Sequence, residues 1–377
     1  MPAVKKVAIA GAGIASIAAA IRLADAGVAV DIFEERNELA LAGSGITLQG
    51  NALRALDQVG VWNEVRQHGY TFDGLVLRAP GPEAKIVAEI PEVATGGPDY
   101  PAGMGMYRPI LAKIMLDHAE RLGVRMHFSQ PLTGFSQTAT AVNIEIAGEP
   151  GGAFDLLIGA DGLHSTVRSL MGITTQPERT GMGIWRTVVS RPPEVTGTEL
   201  YYGGPLYIAG YTPTSDDQMY AFLVEKAQDR SGFSSSKSAE IMTELSEGYG
   251  GPWESIRQDL RHEQQANYTW FTHHIVSEPW NLGRVVIIGD AAHSCPPTVA
   301  QGAAQGLEDA VVLTELLTTN STVDGALWDE FHQRRIPRAR DVVECSVQLA
   351  QWQIDQTPQA DAVTLISGLA QRMAVSA

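Results

Sequence analysis

The hydrophobic and polar positions of the first 35 residues follow a strand–helix–strand pattern. Apolar runs at 4–10 and 28–34 are typical of buried strands. Between them, isoleucine and alanine residues recur at helical spacing, which predicts a helix over 14–26 that ends at Gly27. The start of the chain is therefore predicted to be a β-α-β unit.

The remaining pattern alternates between helical and strand-like stretches. Helical periodicity covers 51–68, 108–122, 237–248, 303–318 and 325–353, whereas strand patterns cover 124–129, 141–147, 154–162, 184–189, 199–202, 206–211 and 218–225. Proline and glycine are concentrated between Ala79 and Gly105, which favours loops and short strands. We therefore predict an α/β protein with a Rossmann-like nucleotide-binding domain, a discontinuous β-sheet-rich second domain and C-terminal helices.

A length of 377 residues is long for one domain and suits two. The strand-like alternation that dominates the middle of the chain predicts that the second domain is inserted twice into the first. The resulting division places the nucleotide-binding domain at 1–74, 104–174 and 270–325, the second domain at 75–103 and 175–269, and the C-terminal helices at 326–377.

Charge and composition argue against several classes of protein. The formal net charge of −16 disfavours nucleic-acid binding, which needs a basic surface. No run of 18 apolar residues occurs, so no membrane span is expected. Cys295 and Cys345 are the two cysteines, so neither a disulfide framework nor a cysteine-rich metal site is predicted. A cytoplasmic protein with no metal and no nucleic-acid or membrane partner is the simplest interpretation.

The turn after the first strand has the composition of a dinucleotide cradle. Gly11 allows a tight turn, and Gly13 lets the backbone approach a pyrophosphate at the start of the helix. Glu34 ends the second strand, where a carboxylate can accept hydrogen bonds from an adenosine ribose. Ser16 stands where the usual third glycine would be, and a small residue can substitute there. NAD and FAD share this cradle, so it does not distinguish between them.

Further motifs distinguish the two cofactors. A Gly-Ala-Asp-Gly sequence opens 159–168, a Gly-Asp-Ala-Ala-His sequence forms 289–293, and Pro296-Pro297 and Gln301-Gly302-Ala303-Ala304 follow it. Tyr107-Arg108-Pro109-Ile110-Leu111 opens a predicted helix, and Gly43-Ser44-Gly45-Ile46 precedes another. In this order the motifs resemble the FAD-dependent aromatic hydroxylases, the group that includes para-hydroxybenzoate and salicylate hydroxylases. The resemblance extends over most of 1–175 and 268–340.

The resemblance implies a role for each motif in binding FAD. It places Asp161 near the pyrophosphate and Asp290 on the ribityl chain. The amides around Gly302 and Ala303, at a helix N-terminus, would face the N1–C2=O region of the flavin, which carries negative charge when reduced. The cofactor-binding residues expected on this basis are Gly11, Gly13, Ile14, Ala15, Glu34, Glu35, Arg36, Gly45, Arg108, Asp161, Asp290, Gly302 and Ala303.

The activity implied by the resemblance is that of a monooxygenase. NADH or NADPH would bind transiently and reduce FAD, O2 would react to form a flavin hydroperoxide, and a small aromatic or heteroaromatic phenol would be hydroxylated. One alternative is a tailoring oxygenase or reductase that acts on a larger natural product or antibiotic. Another is a flavin-bearing binding or sensor protein without turnover. The chain is expected to be a monomer or a homodimer.

The candidates for catalysis and substrate binding are less specific. Pro297 lies in the loop that, by resemblance, passes the reacting face of the flavin. Tyr207 and His274 could contact the substrate as acid–base groups, although sheet packing for the tyrosine and a surface or strand-end position for the histidine are the favoured interpretations. The expected substrate-binding residues are Trp185, Arg186, Tyr211 and Tyr220. Strand alternation must divide these aromatic residues between a pocket and the core, and the sequence leaves the parity open.

Overall fold

The computed structural model describes residues 1–39, 44–230, 232–262, 266–277 and 279–377. The first half contains β1 (Lys6–Ala10), α1 (Ile14–Asp25), β2 (Ala29–Phe33), β3 (Gly45–Gln49), α2 (Gly50–Gln58), α3 (Trp62–His68), β4 (Tyr70–Phe72), β5 (Gly74–Arg78), β6 (Ile86–Pro91), β7 (Gly103–Tyr107), α4 (Arg108–Arg121), β8 (Arg125–His127), β9 (Leu132–Gln137), β10 (Val142–Ile146), β11 (Glu149–Phe154), β12 (Leu156–Gly159) and α5 (Thr166–Leu170). The second half contains β13 (Glu178–Ser190), β14 (Thr198–Tyr202), β15 (Ile208–Pro213), β16 (Gln218–Lys226), α6 (Ser235–Leu245), α7 (Trp253–Arg261), β17 (Asn267–Ile275), β18 (Asn281–Leu282), β19 (Val285–Ile287), β20 (His293–Ser294), α8 (Gly302–Thr319), α9 (Gly325–Ile354) and α10 (Ala362–Ala374).

A six-stranded sheet forms the centre of the nucleotide-binding region, with the strand order β18-β19-β12-β1-β2-β8. β1 pairs in parallel with both β2 and β12, and β12 pairs in parallel with β19. Helix α1 packs against α4 and α8, and their apolar residues join those of the sheet in one core. The parallel strands and their helices confirm the prediction of an α/β fold with a β-α-β unit at its start.

An eight-stranded, mostly antiparallel sheet forms the second layer, in the order β20-β17-β13-β16-β15-β14-β5-β6. Helices α6 and α7 cover one face, where aromatic residues of the sheet and the helices form a separate core. The other face is turned toward α9 and α10. This sheet takes its strands from four separate stretches of the chain, as an inserted β-rich layer requires. The domain bounds given above stay a prediction.

Two further sheets and the C-terminal helices complete the structure. β3, β7 and β4 form a small antiparallel sheet, and β9, β10 and β11 form another. The long helix α9 contacts α8 of the nucleotide-binding region and also β13 and β17 of the eight-stranded sheet. It therefore contacts both layers of the structure. α10 then folds back onto α9. No helix in the described ranges combines the length and the apolar character that crossing a membrane requires.

Two details of the helix prediction are corrected by the structure. The helical pattern over 51–68 forms two helices, α2 and α3, because Gly60 adopts a positive φ of 84° and ends the first one. The prediction over 175–270 contained one helix, whereas the structure has α6 and α7 there. α7 is short and strongly amphipathic, and it buries Trp253, Ile256 and Leu260 against the sheet.

Candidate active site

The glycine turn after β1 leaves an open helix N-terminus. Gly11 has a φ of +91°, and a Cβ on it would lie 2.6 Å from the carbonyl oxygen of Ala160, so only glycine fits. A Cβ on Gly13, the N-cap of α1, would have no neighbour within 4 Å among the described residues. No side chain of the described chain caps α1, so its first N–H groups face this open space. Ile14 and Ala15, both half-buried, form the first turn.

Glu34 lies beside the glycine turn at the end of β2. Its Oε2 accepts a hydrogen bond from the Ala12 N–H at 2.8 Å, and its Oε1 accepts one from the Arg36 N–H at 3.0 Å. Glu35 and Arg36 are exposed at the same edge. The buried Ser16 donates a hydrogen bond to the Gly11 carbonyl oxygen, so the residue in place of the third glycine stabilises the turn. Glu34 retains lone pairs for a ribose hydroxyl.

Asp161 shapes the loop that follows β12 and contacts Gly11. Its carboxylate accepts hydrogen bonds from the Val167 N–H at 3.0 Å and from the Ser165 hydroxyl at 2.5 Å, which fixes the start of α5. Burial raises the pKa of the Asp161 carboxyl. The structure thus brings Asp161 to the glycine turn, where its own hydrogen bonds hold the loop.

The Gly289–Ala291 turn presents Asp290 to the same cleft. Asp290 is exposed to solvent, although partial desolvation by the protein around it raises the pKa of its carboxyl. Asp309 of α8 stabilises the buried side of this turn. It accepts hydrogen bonds from the Gly289 N–H at 2.8 Å and from His293 Nε2 at 2.7 Å. His293 therefore supports the turn from the buried side.

Arg335 continues this support into α9. Its buried guanidinium donates hydrogen bonds to Asp309 Oδ1 at 2.7 Å, Glu308 Oε2 at 3.0 Å and Gln305 Oε1 at 2.9 Å. Sequence reasoning missed both Asp309 and Arg335 as parts of the site. A usable signal existed, because Glu308-Asp309 is an acidic pair inside an otherwise apolar helix, and buried carboxylates require cationic partners.

Arg168 links the two loops that carry the acidic motifs. Its side chain is buried and donates hydrogen bonds to the Leu163 carbonyl oxygen and to the Ala291 carbonyl oxygen, both at 2.9 Å. The Leu163 loop follows Asp161, and Ala291 follows Asp290. Sequence reasoning had not assigned Arg168 a role in the site, although it belongs to the Asp-Gly motif.

His274 lies behind Arg168 and not in the cavity, which corrects its placement as a base that contacts the substrate. Its Nε2 lies 3.2 Å from the Arg168 guanidinium, and its Nδ1 lies 2.8 Å from the Ser294 hydroxyl. Burial and the charge of Arg168 lower the pKa of His274 to about 3. The neutral ring accepts a hydrogen bond from Arg168 and donates one to Ser294, so both nitrogens are occupied.

A second open helix N-terminus lies at α8. Gln301 precedes the helix and its side chain exchanges hydrogen bonds with Asn51, while no side chain in the described ranges caps the first turn at Gly302 and Ala303. Arg108, at the start of α4, is close enough to Asp290 to lower the pKa of that carboxyl against the effect of burial. Gly43, part of the motif before β3, lies outside the described residues.

A cavity of about 320 Å³ adjoins the start of α8. Its walls come from one face of the eight-stranded sheet, β3, residues 90–95, residues 297–301 and α10. Most of these wall residues are apolar. Pro297, Arg186 and Tyr220 line the cavity, so the structure brings these three predicted residues together.

Arg186 and Tyr220 lie on the same face of adjacent strands. Arg186 pairs in register with Phe222, two residues from Tyr220, and its guanidinium donates a hydrogen bond to the Thr269 hydroxyl at 2.9 Å. The Tyr220 hydroxyl lies 2.9 Å from the Thr47 hydroxyl. A Cβ on Gly45 would overlap the Tyr220 ring, so this glycine, expected to lie beside the flavin, supports a cavity residue.

Trp185 and Tyr211 do not line the cavity, in contrast to the expectation from the sequence. Successive strand residues point to opposite faces, and both side chains are buried on the face that α6 and α7 cover. Trp185 donates its indole hydrogen bond to Glu225 at 2.9 Å, and Tyr211 donates its hydroxyl to Glu199 at 2.5 Å. Tyr207 is half-buried against an apolar cluster that includes the cavity residues Ile184 and Val224, but Tyr207 itself is absent from the lining.

Comparisons with known proteins identify the family to which the chain belongs. Residues 5–346 match the family model described as FAD binding domain, so the chain belongs to this family. The chain is 30% identical over 361 residues to the aurachin C monooxygenase/isomerase of Stigmatella aurantiaca, covering 92% of this chain and 90% of that protein. It is 29% identical over 326 residues to the 2-heptyl-3-hydroxy-4(1H)-quinolone synthase of Pseudomonas aeruginosa, with 82% and 80% covered.

A solved structure shares the fold. The HpxO protein of Klebsiella pneumoniae, complexed with FAD and uric acid, superposes with a TM-score of 0.79 at 21% identity, covering 98% of this chain and 94% of that chain. The family model and the curated relatives confirm the resemblance to FAD-dependent aromatic hydroxylases, and the chain is an enzyme of the FAD-dependent monooxygenase class. The site fits the cofactor, since it offers open space at Gly13, two uncapped helix N-termini among the described elements and an accessible Asp290.

Proposed function

We propose that the enzyme uses NADH or NADPH and O2 to hydroxylate an aromatic or heteroaromatic phenol bound in the cavity. The observation that carries this proposal is the shared wall, because residues 297–301 line the cavity and lead directly into the uncapped start of α8. A ring bound in the cavity would therefore lie next to a flavin bound at that helix. The relatives named for aurachin C and for an alkylated quinolone support an aromatic substrate.

When bound, FAD would accept electrons from the nicotinamide and activate O2, so that one oxygen atom is transferred to the substrate and the other leaves as water. We assign the pyrophosphate to the N-terminus of α1, the ribose to Glu34 and the ribityl chain to Asp290. The N–H groups of Gly302 and Ala303 stabilise negative charge on the reduced ring, since a helix N-terminus favours anions. Arg108 adds a positive charge beside them.

Arg186 is assigned to the substrate's oxygen. A phenol is a stronger carbon nucleophile once its hydroxyl is ionised, and a nearby guanidinium lowers the pKa of such a hydroxyl. Arg186 has the Thr269 hydroxyl as its hydrogen-bond partner, which leaves guanidinium N–H groups for an oxyanion. Tyr220 positions the ring from the adjoining strand.

The apolar walls exclude water from the reacting ring. Ile184, Phe222 and Val224 face the cavity from the sheet, and Ile366 and Leu369 of α10 face it from the opposite side. Exclusion of water favours transfer of oxygen to the substrate over its release as hydrogen peroxide. Pro297 contributes a rigid backbone at the junction with α8.

The test is a spectrum followed by a substrate panel. Purified protein with FAD should show flavin absorption, and oxidation of NADH or NADPH should accelerate with one class of ring among phenols, hydroxypyridines and bicyclic heteroaromatics. With ¹⁸O2, the product should gain one labelled oxygen. Flavin absorption without any stimulated turnover would favour a binding or sensor protein, and stimulated turnover without labelled product would favour a reductase.

The cavity has room for substrates larger than a single ring. A volume of about 320 Å³ falls at the lower end of the range for pockets that enclose drug-sized ligands. The panel should therefore include bicyclic compounds with alkyl chains beside simple hydroxybenzoates. The assembly as a monomer or homodimer and the cytoplasmic location stay predictions.

A further inference from the structure

Two rows of side chains cross the cavity face of the eight-stranded sheet, starting at β13. Arg186 of β13 pairs with Phe222 of β16, which pairs in turn with Gly210 of β15. Gly210 pairs with Leu200 of β14, so these positions form the first row. A Cβ on Gly210 would lie 2.6 Å from the Phe222 ring and 2.9 Å from the Leu200 side chain. Both side chains therefore lie over this glycine, and the row is apolar beyond Arg186.

The second row is hydrophobic and leads outward. It contains one residue from each of the same four strands, which are Ile184, Val224, Ile208 and Tyr202. All four line the cavity, and the first three are buried whereas Tyr202 is exposed. Neighbouring strands lie about 4.8 Å apart, so the three steps from β13 to β14 span about 14 Å, which exceeds the length of a bicyclic ring. We call the two rows without Arg186 the apolar strip.

Helix α10 forms the opposite wall of the cavity, and the exposure of its apolar residues increases in one direction. Leu369 is 2% exposed and packs in the same apolar cluster as Val299 of the 297–301 segment. Ile366 and Val363, about one and two helical turns away, are 41% and 72% exposed and line the same cavity. The cavity is therefore enclosed beside the 297–301 segment and open toward the start of α10.

The open part of the cavity leaves hydrophobic side chains in contact with water. The residues that line the cavity and are exposed are Ile90, Val93, Tyr202, Val363 and Ile366. Covering them would be favourable, because apolar surface would leave water. A stable protein partner contributes about 20–30 residues to an interface, so five side chains are too few for one. A slender hydrocarbon chain can cover them and also continue into the enclosed part.

The polar neighbours of the apolar strip are paired with one another. Thr198 precedes Leu200 by two residues and Thr212 follows Gly210 by two, so both threonines face the cavity beside the strip. Their hydroxyls lie 3.0 Å apart and form a hydrogen bond. These neighbours therefore require no polar group from a ligand, which favours a hydrocarbon chain over a polar one.

We propose that the apolar strip and α10 bind a linear alkyl chain attached to the aromatic ring of the substrate. The ring would lie beside Arg186 and the 297–301 segment, and the chain would extend along the strip toward the exposed residues of α10. The substrate class is thus a phenol or N-heteroaromatic phenol that carries a saturated chain of several carbons. This assignment rests on the proposed function and specifies its substrate.

The test measures how affinity depends on chain length. Binding of 4-methylphenol, 4-propylphenol, 4-pentylphenol and 4-heptylphenol to the FAD-loaded protein is measured calorimetrically, without reductant. Affinity should rise by about three- to fourfold for each methylene that is buried, because every CH2 removed from water contributes to binding. The heptyl compound should therefore bind at least about 100-fold more tightly than the methyl compound.

The double variant Val363→Gln/Ile366→Gln tests the α10 wall. Glutamine favours helix as well as valine and isoleucine do, so α10 should still form. The heptyl-to-methyl affinity ratio should fall about tenfold or more, while the affinity for 4-methylphenol stays near the wild-type value. Val87→Gln/Ile86→Gln is the matched control, since these residues of β6 are of the same types, are exposed to similar degrees and do not line the cavity. It should keep the wild-type ratio.

Equal affinities along the series, or an unchanged ratio in the α10 double variant, would overturn the assignment. Equal affinities together with a smaller assembly of the α10 double variant in solution would assign the exposed residues to contact with a second copy of the chain. Incubation of the methyl and heptyl compounds with NADH and ¹⁸O2 separates the two proposals. Labelled product with equal affinities contradicts only the alkyl site, whereas affinity that rises with chain length without labelled product contradicts only the proposed function.

Discussion

Gly45 shows how a single residue can support the cavity without lining it. The ring of Tyr220 occupies the place of a side chain at this position, and its hydroxyl then reaches Thr47 on the same strand. The resemblance to the hydroxylases singled out Gly45 for contact with the flavin. The structure supplies a different local reason for glycine, which is the close approach of an aromatic ring.

Gly45→Ala should displace the Tyr220 ring, because the added Cβ overlaps it. We expect affinity for the best aromatic substrate to fall about tenfold while FAD content stays near the wild-type value, since loss of a positioned wall residue costs on the order of 1–2 kcal/mol. Equilibrium binding and flavin absorbance measure the two quantities. Gly325→Ala is the control, because a Cβ there meets no atom within 4 Å in the described structure.

His274 makes the stability of the protein depend on pH. Its pKa is about 3 in the folded protein and about 6.5 in an unfolded chain. Between these values the unfolded state binds a proton at this site and the folded state does not, so the free energy of unfolding decreases as the pH falls. The contribution is fully present above pH 6.5 and is lost progressively toward pH 3.

In His274→Gln, this part of the pH dependence should disappear. Urea unfolding of FAD-saturated protein between pH 6.5 and 4.5 should give a slope that is less steep than in the wild type by up to about 1.4 kcal/mol per pH unit. His68→Gln, at an exposed position, should keep the wild-type slope. Parallel slopes for the wild type and His274→Gln would show that the buried ring does not resist protonation.

At the scale of elements, β13 illustrates what the sequence could and could not predict. Its apolar pattern predicted a strand, and a strand was found. Ile184 and Arg186 nevertheless face the cavity, whereas Trp185 faces the core covered by α6 and α7, because the two faces of the sheet are enclosed differently. When both faces are enclosed, the pattern reads as a continuous apolar run, and alternation no longer marks the inward side. The pairing of β13 with β16 and β17 in the structure shows which of its residues face the cavity.

α10 closes the cavity and depends on arginines from other helices. Arg338 donates hydrogen bonds to the carbonyl oxygens of Arg372 and Met373, and Arg54 donates one to that of Ala374. These are carbonyl groups at a helix C-terminus, which lack partners inside the helix. Nothing in the local pattern of 362–374 indicates where this helix docks, since its partners lie far away in the chain.

Arg338→Met should loosen α10; it also removes two hydrogen bonds from Arg338 to Glu308, which keeps its bond to Arg335. Losing two hydrogen bonds to the helix end costs about 1–3 kcal/mol, so hydrogen exchange in 362–374 should accelerate about tenfold or more. Substrate affinity should weaken in parallel, and FAD content should not change. Arg340→Met, an exposed substitution on the same helix, provides the comparison. Unchanged exchange in the Arg338 variant would contradict the role of these bonds.

At the scale of the whole molecule, the cofactor cleft joins segments that are distant in the sequence. β1, β12 and the turn after β19 meet because they are neighbouring parallel strands, whose carboxyl ends lie at one edge of the sheet. Their motifs could therefore be identified from sequence. The acidic pair Glu308-Asp309 indicated that a buried cationic partner was needed, but the sequence did not identify Arg335 as that partner, because a buried charge network is defined by which helices pack together.

FAD should stabilise the whole molecule, because only the folded chain assembles these segments. At an FAD concentration of about 100 times its dissociation constant, the gain is about 2.7 kcal/mol, which should raise the melting temperature by several degrees. Asp290→Ala should reduce this shift and lower the FAD content of the purified protein. Asp329→Ala, on the exposed side of α9, should behave like the wild type. An undiminished shift in the Asp290 variant would remove Asp290 from the cofactor site.

The alternation along β13 and β16 has a practical consequence for altering the enzyme. Ile184, Arg186, Tyr220, Phe222 and Val224 form a contiguous wall on rigid strands, and the interleaved residues build the opposite core. A combinatorial library confined to these five wall positions would vary substrate preference while leaving the helix-covered packing intact. Variants drawn from the interleaved positions would instead be lost to misfolding, so screening yields from the two libraries should differ sharply.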